Sequence, residues 1–362
     1  INPKRTKKGM MNMKKLKLFT LMMALLLLAL PLAACKPETN DPEAPERKLT
    51  VDLDLTAEWN KVTTENSLVQ GCVVVRKEFL AENPDAVAAF LNAYEASIAF
   101  LNESTDEAAQ MVVDAGIFSS APVVKKAVPK SNVRYVEGEA MKTAMQNYLS
   151  ILHSINPASI GNAMPGDDFY YTPVEPNASA DLSGVKVKVY TLNGTTGFGM
   201  AKLMKDAAEG NAALDYTFTV KTDAADVLAA LINGDADIAA LPTNAAANLY
   251  NKTGGKVAIL AVNTLGCLYL MNNTGVAVTS IADLKGKTVY VPAQNPTFIF
   301  TYLCRQNDLV VGEDVIIDST TYSTPALLRD AVAAGEVDYA VLPEPMVTIA
   351  QNAAAQANAP QK

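Results

Sequence analysis

The chain contains the stretch Gly234-Asp-Ala-Asp-Ile-Ala-Ala-Leu-Pro-Thr-Asn244, and a related stretch, Gly335-Glu-Val-Asp-Tyr-Ala-Val-Leu-Pro-Glu-Pro345, follows 101 residues later. At the same offset, residues 189–196 align with 290–297, and residues 227–233 align with 328–334. A period of about a hundred residues is too long for a solenoid repeat and is typical of a duplicated domain. The sequence therefore predicts two lobes of similar build.

Both copies have the same order of elements. A short apolar strand leads through a polar loop into a helix, and a second helix ends in glycine before a buried strand at residues 237–241 or 338–342. Alternating strands and helices are typical of an α/β fold in which a parallel sheet has right-handed crossovers. Ligands of such sheets bind outside the carboxyl ends of the strands. Those ends are the loops at residues 192–196, 241–244, 291–297 and 342–345.

The N-terminal segment has the pattern of a secretory signal. Three lysines precede an apolar run at residues 18–32, which closes with Leu32-Ala-Ala-Cys35. A basic, then apolar, then small-residue pattern predicts a signal peptide at residues 1–34. The alternative, a transmembrane anchor, needs about 20 apolar residues. The proline-containing polar residues 35–47 are predicted to form a tether.

Loss of the signal peptide would leave a strongly acidic chain. Residues 1–34 hold seven of the 30 Lys and Arg residues and none of the 38 Asp and Glu residues. The remaining chain has a net charge of −15. This charge argues against nucleic acid or an anionic membrane surface as a partner.

The cysteines and the histidine show no metal-binding spacing. Cys72 and Cys267 each follow a glycine at the head of an apolar strand, so the two residues could form a disulfide or remain as two buried thiols. Free thiols are favoured, because nothing in the sequence fixes the Cα separation that a bridge requires. The single histidine, His153, adjoins an apolar helix predicted at residues 140–152. We expect no metal and no cofactor.

The order of the elements indicates a circular permutation. In the first copy, the buried strand is followed by strands at residues 256–262 and 266–270, but the second copy has no room for both before residue 362. Matching strands occur near the other end of the sequence, at 49–55 and 71–75. Strand 49–55 is therefore expected beside residues 338–342. Permutation is tolerated where termini are close and loops are exposed.

This interpretation sets the predicted domain bounds. Residues 48–171 would supply second-lobe strands, a hinge strand and C-terminal helices, one of which begins at Asn83-Pro84 with Asn83 as its N-cap. Trp59 is placed in a polar loop between the first two strands. The remaining bounds are a linker at 172–182, a first lobe at 183–272 and a second lobe at 273–362.

In the unpermuted order, the chain resembles the type II periplasmic substrate-binding proteins of bacterial ABC importers. That class includes binders of nitrate, sulfonate, taurine and thiamine-pyrimidine precursors. Besides the repeated stretches, the resemblance is carried by Ile281-Ala-Asp-Leu-Lys-Gly-Lys-Thr-Val289 and Lys77-Glu-Phe-Leu-Ala-Glu-Asn-Pro-Asp-Ala-Val-Ala-Ala-Phe90. It implies two mixed sheets flanked by helices and joined by a two-strand hinge, with an ABC permease and its ATPase as partners.

The Leu32-Ala-Ala-Cys35 ending resembles the lipobox of bacterial lipoproteins. The resemblance implies that Cys35 is lipid-modified and becomes the mature N-terminus. The expected protein is a monomer, anchored by lipid at the outer face of the cytoplasmic membrane or in the periplasm.

Polar residues at the strand ends are the candidate ligand-binding residues. Asn193-Gly-Thr-Thr-Gly-Phe-Gly199 offers backbone N–H groups suited to a carboxylate, sulfonate or phosphate, although ordinary strand-to-helix turns share this pattern. Trp59 could stack on a ligand or be a buried structural residue. Glu344 could pair with a ligand amine or be a solvated acid in the first turn of a helix. The full set is Asn193, Gly194, Thr195, Thr196, Thr243, Asn244, Asn263, Thr264, Gln294, Asn295, Thr297, Glu344 and Trp59.

Three functions remain open at this point. The first is capture of a small anionic or heterocyclic nutrient between lobes that rotate about the two Gly-Cys strands. The second is an enzyme on the same fold, as in the related pyrimidine synthases and menaquinone-pathway enzymes. The third is a non-functional product of gene rearrangement. The sequence favours binding over catalysis, because no motif pairs a nucleophile with a base and the single histidine lies outside the predicted site.

Overall fold

A computed structural model describes residues 49–63, 67–174, 177 and 179–357 of the chain. The predicted signal peptide, Cys35 and the tether lie outside the described residues. Within these ranges, no helix is both long and apolar enough to span a membrane.

The described residues form eleven strands. They are β1 (Thr50–Asp54), β2 (Val69–Arg76), β3 (Val133–Val136), β4 (Lys186–Leu192), β5 (Asp215–Lys221), β6 (Ile238–Pro242), β7 (Val257–Leu265), β8 (Leu268–Asn272), β9 (Lys287–Tyr290), β10 (Val315–Asp318) and β11 (Tyr339–Pro343).

The same ranges contain thirteen α-helices and four short 3₁₀ turns. The helices are α1 (Leu55–Val62), α2 (Lys77–Glu82), α3 (Pro84–Glu103), α4 (Thr105–Asp114), α5 (Ala121–Ala127), α6 (Gly138–Ile155), α7 (Thr195–Phe198), α8 (Ala201–Ala208), α9 (Ala224–Asn233), α10 (Thr243–Thr253), α11 (Asn295–Gln306), α12 (Pro325–Ala334) and α13 (Met346–Ala357).

The strands form two mixed sheets. The six-stranded sheet has the order β3-β7-β2-β6-β4-β5, in which β4 runs parallel to β5 and β6 whereas β2 is antiparallel to β6 and β7. The five-stranded sheet has the order β1-β8-β11-β9-β10, in which β9 runs parallel to β10 and β11 whereas β8 is antiparallel to β1 and β11. The predicted α/β fold with two mixed sheets flanked by helices is confirmed.

Each sheet contains one strand that enters from the other half of the structure. Strand β8 follows β7 of the six-stranded sheet but joins the five-stranded sheet, and β2 follows β1 of the five-stranded sheet but joins the six-stranded sheet. With this exchange, the order β7-β2-β6-β4-β5 corresponds strand by strand to β1-β8-β11-β9-β10. Two connections, β1 to β2 and β7 to β8, therefore join the lobes.

One predicted contact is wrong. Strand β1 lies in the same sheet as β11, but β8 separates them: Thr50 pairs with Asn272, and Asn272 pairs in turn with Tyr339. The reason is that β8 crosses from the other lobe and occupies the position next to β11 that was predicted for residues 49–55.

The repeated glycines have a shared backbone role. Gly234 and Gly335 follow α9 and α12 with φ angles of 79° and 71°, so each ends its helix in the left-handed conformation. Glycine adopts this conformation without the steric cost of a Cβ atom. Each then leads into the buried strand of its copy, β6 or β11.

Three apolar clusters hold the sheets and helices together. Alternate residues of β8 face opposite sides, so Leu268 and Leu270 join a central cluster that spans both sheets, whereas Tyr269 and Met271 pack with α12 and α13. A third cluster places Phe90 and other residues of α3 against the outer face of the six-stranded sheet. The central cluster thus links the two lobes around their crossing strands.

Two local predictions need correction. Trp59 lies in helix α1 and not in a polar loop, because Asp54 caps this helix by accepting a hydrogen bond from the Thr56 amide at 2.8 Å. Asn83 holds the N-cap position of α3, but its side chain donates back to the Phe79 carbonyl at 3.3 Å and makes no capping bond. The predicted free thiols are confirmed, since Cys72 and Cys267 are buried and unbridged.

Candidate functional site

The loop after β4 is tightly bound to its surroundings. The Asn193 amide donates to the Lys221 carbonyl at 2.9 Å, and the Gly194 amide donates to the Ile117 carbonyl at 3.4 Å. Two of the N–H groups expected to hold an anion are therefore engaged within the protein. The Asn193 side chain is exposed and lines a separate surface cavity of about 500 Å³ together with Lys221.

Close packing explains the glycines of this loop. A Cβ atom on Gly197 would lie 2.1 Å from the Leu192 carbonyl oxygen, and one on Gly199 would lie 2.6 Å from a side-chain carbon of Ile98. The chain thus turns directly from β4 into α7, and the residues that follow pack against α3. These glycines shape the loop rather than approach a ligand.

Asn263 and Thr264 form a buried network behind this loop. Asn263 Nδ2 donates to the Tyr94 hydroxyl at 3.0 Å and to the Thr196 carbonyl at 3.2 Å, and Thr264 Oγ1 donates to Asn263 Oδ1 at 3.1 Å. Both residues are 1% exposed. In this structure they fix the position of Thr196.

The two lobes meet at Cys267, in the connection between β7 and β8. The Thr195 side chain lies near the Cys267 sulfur, where it acts to lower the pKa of that thiol against the larger effect of burial. The Cys267 carbonyl accepts a hydrogen bond from the Glu344 amide at 2.9 Å, and its amide donates to Gln70 Oε1 at 2.8 Å. The structure therefore brings Thr195 and Glu344 together. Burial raises the pKa of the Cys267 thiol to about 12, so this thiol is protonated at neutral pH.

Glu344 is a buried acid, 2% exposed, between β11 and α13. Its carboxylate accepts hydrogen bonds from the Thr348 amide at 3.2 Å and the Thr348 hydroxyl at 3.0 Å. Burial raises the pKa of Glu344, and the bonds from Thr348 oppose that rise. The carboxylate does contact the first turn of a helix, but the expectation that it is solvated there is wrong.

At the corresponding end of β9, three predicted residues surround the start of α11. Asn295 is 9% exposed, and its Oδ1 atom is buried without a hydrogen-bond partner among the described residues. Thr297 Oγ1 donates to the Pro292 carbonyl at 2.8 Å. Gln294 is exposed and has a φ angle of 70°. Asn295 therefore presents a buried acceptor at this strand end.

Trp59 is a core residue. It is fully buried, its indole N–H donates to Ser67 Oγ at 2.9 Å, and its ring centroid lies 5.0 Å from that of Tyr302 and 5.8 Å from that of Tyr148. This packing matches the structural alternative for Trp59 and leaves no open ring face. Thr243 is likewise buried, with its hydroxyl donating to the Val69 carbonyl at 2.8 Å.

The remaining predicted residue of the first lobe, Asn244, is 7% exposed near the start of α10. In the described part of the chain, no group of His, Cys, Asp or Glu residues could hold a metal ion.

Two polar residues at the junction were not predicted from the sequence. Thr56 Oγ1 and the Tyr148 hydroxyl are buried there without a hydrogen-bond partner in the described ranges. Thr56 lies against Gly266, and burial, with a smaller contribution from the nearby Cys267, raises the pKa of Tyr148. A signal existed for Tyr148, since its hydroxyl interrupts an otherwise apolar face of α6 that includes Met141, Met145 and Leu152.

None of the curated protein sequences matches the chain. Solved structures similar to it include an ABC transporter protein from Parabacteroides distasonis, with 24% identity over 46% of this chain and 55% of that one and a TM-score of 0.32. The periplasmic aliphatic sulphonate binding protein SsuA from Escherichia coli has 18% identity over 46% and 57% of the chains, with a TM-score of 0.35.

The alkanesulfonate-binding protein SsuA from Xanthomonas axonopodis pv. citri, bound to MOPS, has 17% identity over 44% and 55%, with a TM-score of 0.29. The chain thus spans a little over half the length of these three structures. Residues 204–358 match the family described as "ABC transporter, phosphonate, periplasmic substrate-binding protein", which supports a relation between this chain and the periplasmic substrate-binding proteins of ABC transporters.

Proposed function

We propose that the chain is an extracytoplasmic solute-binding lipoprotein, which captures a small anionic or heterocyclic nutrient between its two lobes and delivers it to an ABC permease and its ATPase. The matched family consists of binding proteins of transporters, and this favours binding over an enzymatic role. Lipid attachment at Cys35 would hold the protein at the outer face of the membrane. We expect it to act there as a monomer.

The observation that carries this proposal is the meeting of Thr195 and Glu344 at Cys267. Thr195 follows a strand of the six-stranded sheet and Glu344 follows a strand of the five-stranded sheet. Both therefore lie at carboxyl ends of strands, where ligands of α/β sheets bind. A small molecule held between these two ends would contact both lobes, so its binding would favour the arrangement in which they are close.

We also propose that the sequence is a circular permutation of the usual order in this class. Strand β1 holds the place in the five-stranded sheet that β7 holds in the six-stranded sheet, and β2 and β8 are exchanged in the same way. A chain that ran from residue 182 to the C-terminus and then from residue 48 to 171 would give both lobes the same strand sequence. The family match to residues 204–358 falls within the part that this order places first.

The test uses the mature, purified protein and a panel of anions, sulfonates, amino acids and pyrimidines. A ligand that binds only the native state at a hundredfold excess over Kd should stabilise it by about 2.7 kcal/mol, which is readily seen as a shift in melting temperature. Small-angle X-ray scattering should show a smaller radius of gyration with that ligand. A screen without any thermal shift, or a ligand bound away from the junction, would count against solute capture.

Two variants test whether the predicted strand-end loops contact the ligand. Thr196→Ala and Thr297→Ala each remove a hydroxyl at a strand end, and either should weaken binding by about 1–3 kcal/mol if a ligand group is left buried and unpaired. The Ser154→Ala change is a matched control, because Ser154 lies on the exposed side of α6 and its hydroxyl bonds only the Ile151 carbonyl. Equal ligand affinity in all three variants would contradict the proposed site.

A further inference from the structure

The lobe junction contains more acidic than basic residues. Burial raises the pKa of Cys267 and of Tyr269, which flank the start of β8, and the nearby carboxyl groups of Asp54 and Glu344 add to that rise. Within the described ranges, the cation that acts on Glu344 is Lys130, an exposed residue whose carbonyl accepts a hydrogen bond from Tyr269. Acidic residues therefore outnumber basic ones in this part of the junction.

The strand-end loops do not offset this charge. The loops at residues 192–196, 241–244, 291–297 and 342–345 contain no Lys or Arg, and Glu344 is their single charged residue. A phosphonate or sulfonate needs cations or several free N–H donors around it. The amides of Asn193 and Gly194 already donate to protein carbonyls, as described above.

The buried hydrogen-bond acceptors of the site, in Asn295 and Glu344, require a ligand with hydrogen-bond donors. Asn295 Oδ1 has no hydrogen-bond partner among the described residues, and the Glu344 carboxylate accepts bonds only from Thr348 there. A buried acceptor without a donor costs free energy, whereas a carboxylate that receives a charged N–H group gains a strong hydrogen bond. Strands β9 and β11 are parallel neighbours, so Asn295 and Glu344 follow the same edge of the five-stranded sheet, and a ligand that donates hydrogen bonds there would satisfy both acceptors.

We propose that the solute of this site is a nitrogenous cation, an amine or amidinium that donates N–H groups to Glu344 and Asn295, and not a phosphonate or sulfonate. This inference rests on the proposed function, because it assigns the chemical class of the solute that the junction holds. The positive charge of Lys130 acts to lower the pKa of Glu344, and the same charge would repel a cation bound there and weaken its binding.

The experiment compares molecules that share a skeleton and differ in charge. Benzamidine, benzamide and phenylphosphonate form one series, and acetamidine, acetamide and methylphosphonate form another. Titration calorimetry on the mature protein at neutral pH should rank the amidinium first and the phosphonate last in at least one series. A phosphonate that binds more tightly than its amidinium would overturn the inference and leave solute binding intact.

Variants of the two charged groups should move affinity in opposite directions. Glu344→Gln should weaken amidinium binding by about 10- to 100-fold and leave the neutral amide nearly unchanged, because a hydrogen bond to a charged group is lost. Lys130→Met should strengthen amidinium binding severalfold. Exposed residues of the same charge, Glu313 and Lys125, supply the controls Glu313→Gln and Lys125→Met, which should change neither affinity.

Each remaining outcome decides the question. If Glu344→Gln does not fold, as judged by circular dichroism, the Lys130→Met variant decides, and unchanged or weaker amidinium binding by that variant overturns the inference. If no member of either series binds, the inference is overturned; if the broader panel also gives no thermal shift, the proposed function fails as well.

Discussion

Asp237 and Asp338 occupy the same position of the repeated stretch but have different surroundings. Asp237 is 3% exposed, and its carboxylate pairs with Arg76 Nη2 at 2.9 Å and accepts from the Lys188 amide at 2.9 Å. Asp338 has an exposed side chain. The duplicated residue thus became structural in one lobe only.

This pair supplies its own control. Asp237→Ala should lower the free energy of unfolding by about 1–3 kcal/mol, because the Lys188 amide loses its acceptor and Arg76 keeps only the exposed Glu78 as a charge partner. Asp338→Ala should change it by less than about 0.5 kcal/mol. Urea unfolding followed by circular dichroism measures both, and similar losses in the two variants would contradict the difference in burial.

The decrease in the free energy of unfolding at low pH should depend in part on Asp318, at the end of β10. The Thr321 hydroxyl, together with the amides of Thr321 and Thr320, lowers the pKa of Asp318 from 3.8 to about 2. Because the folded-state pKa is depressed, the stabilisation is present above pH 3.8 and is lost as the pH falls toward 2.

Asp318→Asn should therefore be less stable than the wild type at neutral pH, by no more than about 1 kcal/mol because solvent screens this partly exposed group. The difference in the free energy of unfolding should shrink as the pH falls from 3.8 to about 2. Urea titrations across this range measure it. A difference that stays constant with pH would show that the charge of Asp318 is not the cause.

Among the elements, the turn from β4 into α7 is the least tolerant of added volume. Gly197→Ala places a methyl group against the Leu192 backbone, which cannot move without shifting β4. We expect a loss of about 1–3 kcal/mol from overpacking and weaker ligand binding through displaced Thr195 and Thr196. Gly275→Ala is the control, since its Cβ would meet nothing within 4 Å and only the backbone strain at φ 75° remains.

The elements themselves were largely predictable, because local patterns specify them. Apolar runs ended by glycine or proline located β6 and β11 to within a residue or two, and the Asn-Pro entry located α3. Pairing between distant strands was not predictable in the same way. No local signal shows that β8 crosses to the other sheet, or that the Asn193 and Gly194 amides donate to Lys221 and Ile117, because those partners lie far away in the sequence.

At the scale of the whole molecule, the proposed permutation can be reversed. Leu49 and helix α13 pack against the same apolar cluster, which places the two ends of the described chain on one side of the five-stranded sheet. A gene that encodes residues 182–357, a short Gly-Ser linker and residues 49–171 should yield a protein with the same near-ultraviolet circular dichroism and the same ligand affinity. A rearranged chain that is soluble but lacks cooperative unfolding would argue against the permutation.

The exchanged strands also determine when this protein can begin to fold during synthesis. Thr50 in β1 bonds to Asn272, 222 residues further along the chain, and β2 finds β6 only after more than 160 residues. The first two strands to leave the ribosome therefore have no sheet to join until most of the chain has been made. Such non-local pairing slows folding, because closing a long loop costs conformational entropy before the contacts between the strands have formed. The nascent chain should consequently stay unfolded over much of its translation, which is the condition that transport through a narrow membrane channel requires.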